Sequence, residues 1–199
     1  VIAPYNPTEI LEDSQGFILK NAPPGSGHLM GTDKIGRDIF SRLLFAGQIS
    51  LAVAFVVVFV RTIFGTLVGA ISGYVGGWLD DVIMRFVEFL QTLPLLALLL
   101  AFSAILRGIE IPFLPDEWSS AVIISAILIG FGWTQATILV RGQVLSLKNQ
   151  DFTEASRALG MSHFGIIVKH MIPNSLAPII VSATLGLGGV IILASALSF

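Results

Sequence analysis

The chain has 199 residues, 54% of them hydrophobic and 12% charged, with a formal charge of −2 and a mean hydropathy of +0.87. A soluble domain carries roughly a quarter charged residues, so this chain lacks the groups to cover a core in water and reads as an all-α polytopic membrane protein. The charge gives no nucleic-acid signal, and the absence of Cys excludes structural disulfides and Cys-ligated metals.

Residues 1–45 mix the acids Glu9, Glu12 and Asp13 with Pro4, Pro7, Pro23, Pro24, Gly25 and Gly27, which break any long periodicity. They read as an extramembrane loop. From Asp38 the pattern turns amphipathic at helical spacing, with Ile39, Phe40, Leu43 and Leu44 set against Arg37, Asp38, Ser41 and Arg42. Such a helix can lie at the interface and turn the chain into the bilayer. About twenty apolar residues are needed to span, so a first span is predicted over residues 47–71 despite Arg61 inside it. Gly65, Gly69, Gly73 and Gly77 fall at four-residue intervals and form a stripe where another helix can approach closely; glycine tolerated at a fluid helix end is the plainer alternative. Tyr74–Trp78 (YVGGW) reads as an interfacial turn.

Asp80, Asp81, Arg85 and Glu88 form a polar break that begins the next helix, a second span at 86–106, which contains Gln91 and Pro94. Pro94 is predicted to kink that helix, and Gln91 either re-satisfies the freed backbone or faces a pore. Residues 107–119 read as a loop with acidic excess, residues 118–140 as a third span and residues 175–199 as a fourth, with Gly186, Gly188 and Gly189 in its middle. Between the last two spans lies a polar island, residues 151–174. Its loop carries Arg141, Lys148, Arg157 and Lys169 against Asp151 and Glu154, whereas the 107–117 loop has Arg107 against Glu110, Asp116 and Glu117. The positive-inside rule puts the island in the cytoplasm and the acidic loop outside. Residues 1–45 then lie outside too. With no signal peptide or initiator Met ahead of them, and an apolar run at the end, the chain reads as a fragment of a protein with more spans.

Catalytic patterns are missing: no phosphate loop, no G-x-S-x-G and no H-E-x-x-H occur. His28, His163 and His170 read as solvated or interfacial, so neither a catalytic residue nor a metal site is predicted. Asp33, Arg37 and Asp38 read as a loop leading into a helix. Arg61 stands out, because an ionisable group within a span costs a few kcal/mol. It either snorkels or bonds a neighbouring helix, or else it faces the substrate pathway together with Gln91.

Within the island, Asp151 and Glu154 have the form of a capping box. The helix that follows carries Phe152, Ala155, Ala158 and Leu159 on one face and Glu154 and Arg157 on others, and Gly160 fits its stop. Ser162 can cap a second helix over residues 163–171, halted near Pro173. A short helix with a small apolar face suits docking in a partner's groove or lying flat on lipid.

The stretch EASRALGMSHFGIIVKHMIP resembles the signature loop of bacterial ABC-importer permeases, written EAA, three residues, Gly, nine residues, I-x-L-P. Glu154, Ala155, Gly160 and Pro173 match, while Ser156, His170 and Ile172 depart from it. More particularly it is similar to the C-type subunit of the peptide/nickel branch, which commonly has His at the position of His170 and Asn after the proline, as Asn174 here. That branch also has G-T-D-x-x-G-R-D, matching residues 31–38, a G-Y-x-G-G-W turn, matching residues 73–78, and an A-L-S-F ending, matching residues 196–199.

The resemblance implies an ABC importer type I transmembrane domain of which about four of six spans are present. Residues 1–45 would be the extracytoplasmic loop and interfacial helix, and residues 46–199 the transmembrane domain with a coupling loop at 148–174. Asp151, Phe152, Glu154, Ala155, Arg157, Ala158, Leu159 and Gly160 would form a coupling helix seated in an ATPase groove. The implied partners are a second permease subunit, two ATP-binding subunits, an extracytoplasmic substrate-binding protein and membrane lipid, in a bacterial or archaeal inner membrane. ATP and Mg would bind those ATPase partners and no cofactor this chain. Di- or oligopeptides are the cargo implied, with nickel or oligosaccharide as alternatives. A secondary transporter or channel is the rival class, but such proteins place carboxylates within spans and none lies mid-span here.

Overall fold

A computed structural model of the chain describes residues 3–25, 27–106 and 116–198. The expected acidic loop therefore lies outside the described residues up to position 115. The chain forms two compact units, Val1–Ala52 and Val53–Phe199.

The first unit is built on two D-x-x-G turns of like construction. Asp13 Oδ1 accepts the amides of Gln15 and Phe17 at 2.8 and 2.9 Å, and Asp33 Oδ1 accepts those of Ile35 and Arg37 at 3.0 and 2.9 Å. Gly16 and Gly36 take the left-handed conformation, with φ of 80° and 86°, that lets the chain fold back onto the aspartate. Isolated bridges close each turn, Glu12 to Ile18 and Thr32 to Asp38. The Arg37 amide, with the Ile35 amide and the Arg37 guanidinium adding to it, holds the Asp33 carboxyl well below the usual carboxylate range. Asp38 ends this unit's loops as the N-cap of the first helix rather than as a residue of its first turn, its Oδ2 accepting the Ser41 amide at 2.7 Å. His28 is not a solvated side chain: its Nδ1 lies 3.6 Å from Asp38 Oδ1, and its ring packs on Tyr5 with centroids 5.3 Å apart.

Helix α1, Ile39–Val75, takes in both the expected interfacial segment and the first span as one element. Its 37 residues make it about 55 Å long, well beyond the ~30 Å of bilayer hydrocarbon. Next come α2 (Gly77–Thr92) and α3 (Leu95–Leu106), which meet at Leu93-Pro94 with a bend of 79°. A prolyl ring clashes with the carbonyl four residues back and bars a straight helix; the result is a break rather than a gentle kink. Helices α4 (Asp116–Gly132) and α5 (Thr134–Leu147) interrupt the third expected span at Trp133 and extend it past Arg141.

The segment α6 (Asp151–Ala158) is followed by α7 (His163–Ile166), a π turn (Ile167–Met171) and α8 (Ile172–Ser198). The second island helix does not halt at Pro173. The π turn carries it straight into α8, because the Ile172 amide donates five residues back to Ile167 O and so absorbs the bond that proline cannot make. Asn174 Nδ2 and Ser175 Oγ donate to His170 O and Met171 O at 2.6 and 2.8 Å, satisfying carbonyls in the widened turn.

Three stretches are long and apolar enough to cross a membrane, namely residues 39–75, 121–147 and 163–196, and the bent pair α2–α3 makes a fourth. Within the second unit large apolar side chains face outward, and the interior mixes apolar residues with small polar ones. Thr66, Ser72, Thr134, Thr137 and Ser175 are buried, while Phe55, Phe59, Leu185 and Ile192 stand exposed, the pattern of a bundle packed on small polar residues with lipid outside. One buried cluster joins the long helices to the island: Ala70 and Tyr74 of α1, Val140 and Val144 of α5, Ile166, Ile167 and Met171, and Ile179 of α8.

Candidate functional site

The residues singled out from sequence fall at two places in the second unit, the island and a cavity between the helices. At the island, α6 starts without the predicted capping box. Gln150 is the N-cap and makes no side-chain bond; its carbonyl accepts the Thr153 and Glu154 amides at 2.9 and 3.2 Å. Asp151 and Glu154 instead stand in the first turn, where the helix dipole favours anions. The stop at Gly160 is a Schellman closure: φ is +77°, Gly160 N donates to Arg157 O at 2.9 Å and Met161 N to Ser156 O at 3.1 Å. Ser162 Oγ then accepts the Gly165 amide at 3.2 Å and caps α7.

The face that α6 turns to its own chain is polar. Thr153 and Ser156 are buried, with Thr153 Oγ1 donating to Leu147 O at 2.9 Å and Ser156 Oγ to Phe152 O at 2.7 Å. Phe152, Ala155, Ala158 and Leu159, together with Asp151, Glu154 and Arg157, are left exposed, Leu159 by 88%. Ser156 in place of the family alanine thus seats a hydroxyl where the helix packs, 3.4 Å from His170 Nε2. His170 also packs against Phe152 with the rings tilted by 40° and their centroids 6.1 Å apart.

Tyr74, at the start of the expected interfacial turn, is packed inside the protein. It is 6% exposed and ties α1 to the island. Its hydroxyl lies 3.2 Å from His163 Nδ1 and accepts Arg157 Nε at 3.3 Å, and the Arg157 guanidinium rests 5.2 Å over the Tyr74 ring. Trp78, by contrast, is 77% exposed. Beside this joint, Asp80 of α2 receives Arg141 of α5 through two parallel bonds of 2.6 Å and the Ser72 hydroxyl at 2.5 Å. Lys148 Nζ donates to Gly73 O at 3.3 Å. Sequence reasoning missed this set, and its sole signal is opposite charge at the ends of two predicted spans.

Gly65, Gly69 and Gly73 run along the contact of α1 with α5. A Cβ on Gly65 would stand 2.5 Å from Trp133 O and 2.6 Å from Ala136 Cβ, and one on Gly73 2.9 Å from Arg141 O; at Gly69 it would collide with Thr137 O. Thr137 Oγ1 donates across this contact to Gly65 O at 3.2 Å. Gly77, in register with the three, has open space.

Arg61 and Gln91 both line a cavity of about 1050 Å³ between α1, α2, α3, α4, α5 and α8. The Arg61 guanidinium threads between Gly132 and Gly186. A Cβ on Gly132 would stand 3.0 Å from its Cδ, and one on Gly186 would overlap its Nη2. Among the described residues, no three His, Asp or Glu side chains cluster as a metal site.

The family described as "Binding-protein-dependent transport system inner membrane component" matches residues 65–199. The chain is similar to the "Dipeptide transport system permease protein DppC" of Alkalihalophilus pseudofirmus, with 41% identity over 88% of this chain and 54% of that protein. It is similar to the Bacillus subtilis protein of the same name, 36% identical over 100% of this chain and 58% of the relative. The "Oligopeptide transport system permease protein OppC" of Escherichia coli K12 is 38% identical over 100% of this chain and 63% of its own length. The chain thus spans 54% to 63% of the length of these relatives.

Proposed function

The chain belongs to the family of binding-protein-dependent transport system inner membrane components, and from that premise we propose that it forms part of the translocation pathway of an ATP-driven importer of di- or oligopeptides. As a helical type I ABC-importer transmembrane domain, it is a membrane transport subunit. In this reading it sits in a bacterial inner membrane with a second permease subunit. ATP hydrolysis occurs on two separate ATP-binding subunits, and an extracytoplasmic protein delivers the peptide.

The observation that carries the reading is the make-up of α6. A free-standing helix would turn its apolar side inward, yet α6 turns Thr153 and Ser156 inward and leaves Phe152, Ala155, Ala158 and Leu159 exposed. That exposed face fits a groove on an ATPase. Displacement of α6 on closure of the ATPases reaches α1 through Arg157, His163 and Tyr74, and α5 through the Thr153 hydroxyl on Leu147 O. Both helices line the cavity, so the movement alters access to it. The test is cysteine crosslinking from Ala155 or Ala158 to a co-produced ATPase. A crosslink that changes with nucleotide is the expected result; none in any nucleotide state overturns the coupling role.

A further inference from the structure

We propose that Arg61 is a recognition residue for a carboxylate carried by the solute in transit, the C-terminal carboxylate of a peptide, in the cavity between α1, α2, α3, α4, α5 and α8. The inference rests on the importer reading above and adds to it a place and a chemistry within the pathway.

Arg61 lies near the middle of α1, and among the described residues it makes no ion pair and no hydrogen bond. The described residues lining the cavity include no other charged side chain, so the guanidinium has no counter-charge there. An unpaired cation at membrane depth is costly. Snorkelling toward the headgroups would lower that cost. The side chain runs instead across the bundle between Gly132 of α4 and Gly186 of α8, at contacts where any larger residue would displace it. Those two glycines keep the guanidinium inside the protein and against the cavity.

The surroundings narrow the class of anion. Arginine presents a planar fork of donors that matches a carboxylate through two parallel bonds. One cation neutralises one negative charge; a phosphate dianion would be left half compensated. Gln91 and Gln135 also line the cavity, and neither amide is hydrogen-bonded among the described residues. Each offers a donor and an acceptor, the pair needed to meet a peptide unit. The rest of the lining is largely apolar, such as Leu99, Leu128 and Phe131. At about 1050 Å³ the space reaches the upper end of the ~300–1,000 Å³ typical of small-molecule sites. A carboxylate, adjacent amides and tolerance of side chains together describe a short peptide.

The test uses the complete importer in proteoliposomes, with trialanine and its C-terminal amide as probes, each at a concentration that saturates the binding protein. Arg61→Gln is expected to lower ATP-driven uptake of the free acid by at least about tenfold, the scale of a lost charge-assisted bond. Uptake of the amide stays within about twofold of wild type. Arg61→Lys, which keeps the charge and loses the fork, falls between. Equal loss of both peptides, or no loss of either, overturns the proposal. So does release of the second permease subunit from the Arg61→Gln complex, which would make the counter-charge a protein carboxylate. If the wild-type complex imports neither peptide, the peptide reading itself falls, and that failure shows before any variant is measured.

Discussion

The hydroxyl of Tyr74 and Nδ1 of His163 lie 3.2 Å apart across 89 residues of sequence. One stands at the end of α1 and the other opens α7, so a single contact joins the longest helix to the island. Arg157 closes the arrangement by reaching the same hydroxyl from α6 at 3.3 Å. Three elements meet on one oxygen atom.

Tyr74→Phe should therefore separate coupling from folding. The ring and its contact with the Arg157 guanidinium remain, and only the hydroxyl is lost. Stability should drop by about 1 kcal/mol, as for one hydrogen bond, read by thermal unfolding in detergent. ATP hydrolysis stimulated by loaded binding protein should fall several-fold while the subunits still co-purify. Unchanged stimulation would remove Tyr74 from the transmission path.

The α6 surface predicts a different split. Leu159→Glu places a charge on a side chain that is 88% exposed, so the fold should tolerate it within about 0.5 kcal/mol. Association with the ATPase should weaken by tenfold or more, the range of an interface anchor. Co-purification from membranes reads the second quantity and circular dichroism the first. Ser156→Val, on the buried side, should do the reverse and loosen α6 from its own chain.

Close approach of α1 and α5 gives a paired prediction on glycine. Gly65→Ala puts a Cβ 2.5 Å from a backbone carbonyl and should destabilise by about 1–3 kcal/mol through overpacking. Gly142→Ala meets nothing within 4 Å and should stabilise by up to about 1 kcal/mol through helix propensity. Opposite shifts in melting temperature are expected, and shifts of the same sign would contradict the packing.

The Asp33 turn predicts a pH response with a fixed sign. The carboxylate accepts two amides and the Arg37 guanidinium, so its folded pKa is depressed. A depressed carboxyl contributes stability above its unfolded value, about 3.9, and loses it only as pH falls through the lower folded value. Protection of the Ile35 and Arg37 amides from hydrogen exchange should thus persist at pH 4, where an ordinary aspartate is half protonated. Asp33→Asn should reduce that protection at neutral pH.

What the sequence makes legible is local. Pro94 breaks its helix, Gly160 stops α6 and Ser162 caps α7, each through its own backbone or the amide three residues on. What it hides is pairing. Asp80 and Arg141 lie 61 residues apart, and apolar periodicity says nothing about which polar group near a span's end meets which. The capping box misleads for a related reason: Asp151 is a good cap by type, but the helix begins one residue earlier in register, at Gln150. Pro173 misleads as well. A proline signals a stop only where the chain cannot widen its turn, and Ile167–Met171 widens.

That widened turn sets an angular phase. A π turn spends an extra residue on the same axial advance, so everything beyond it is rotated relative to an unbroken α-helix by about 100°, one residue's share of a 3.6-residue turn. The azimuth of α8, and with it the direction that Gly186 faces, is thus fixed some fifteen residues upstream by the geometry around Pro173. Replacing Pro173 so that 167–171 closes as ordinary α-helix, with no residue removed, would restore a uniform pitch and swing Gly186 away from Arg61. The island and the cavity, which share no side chain, are in this way parts of one screw thread.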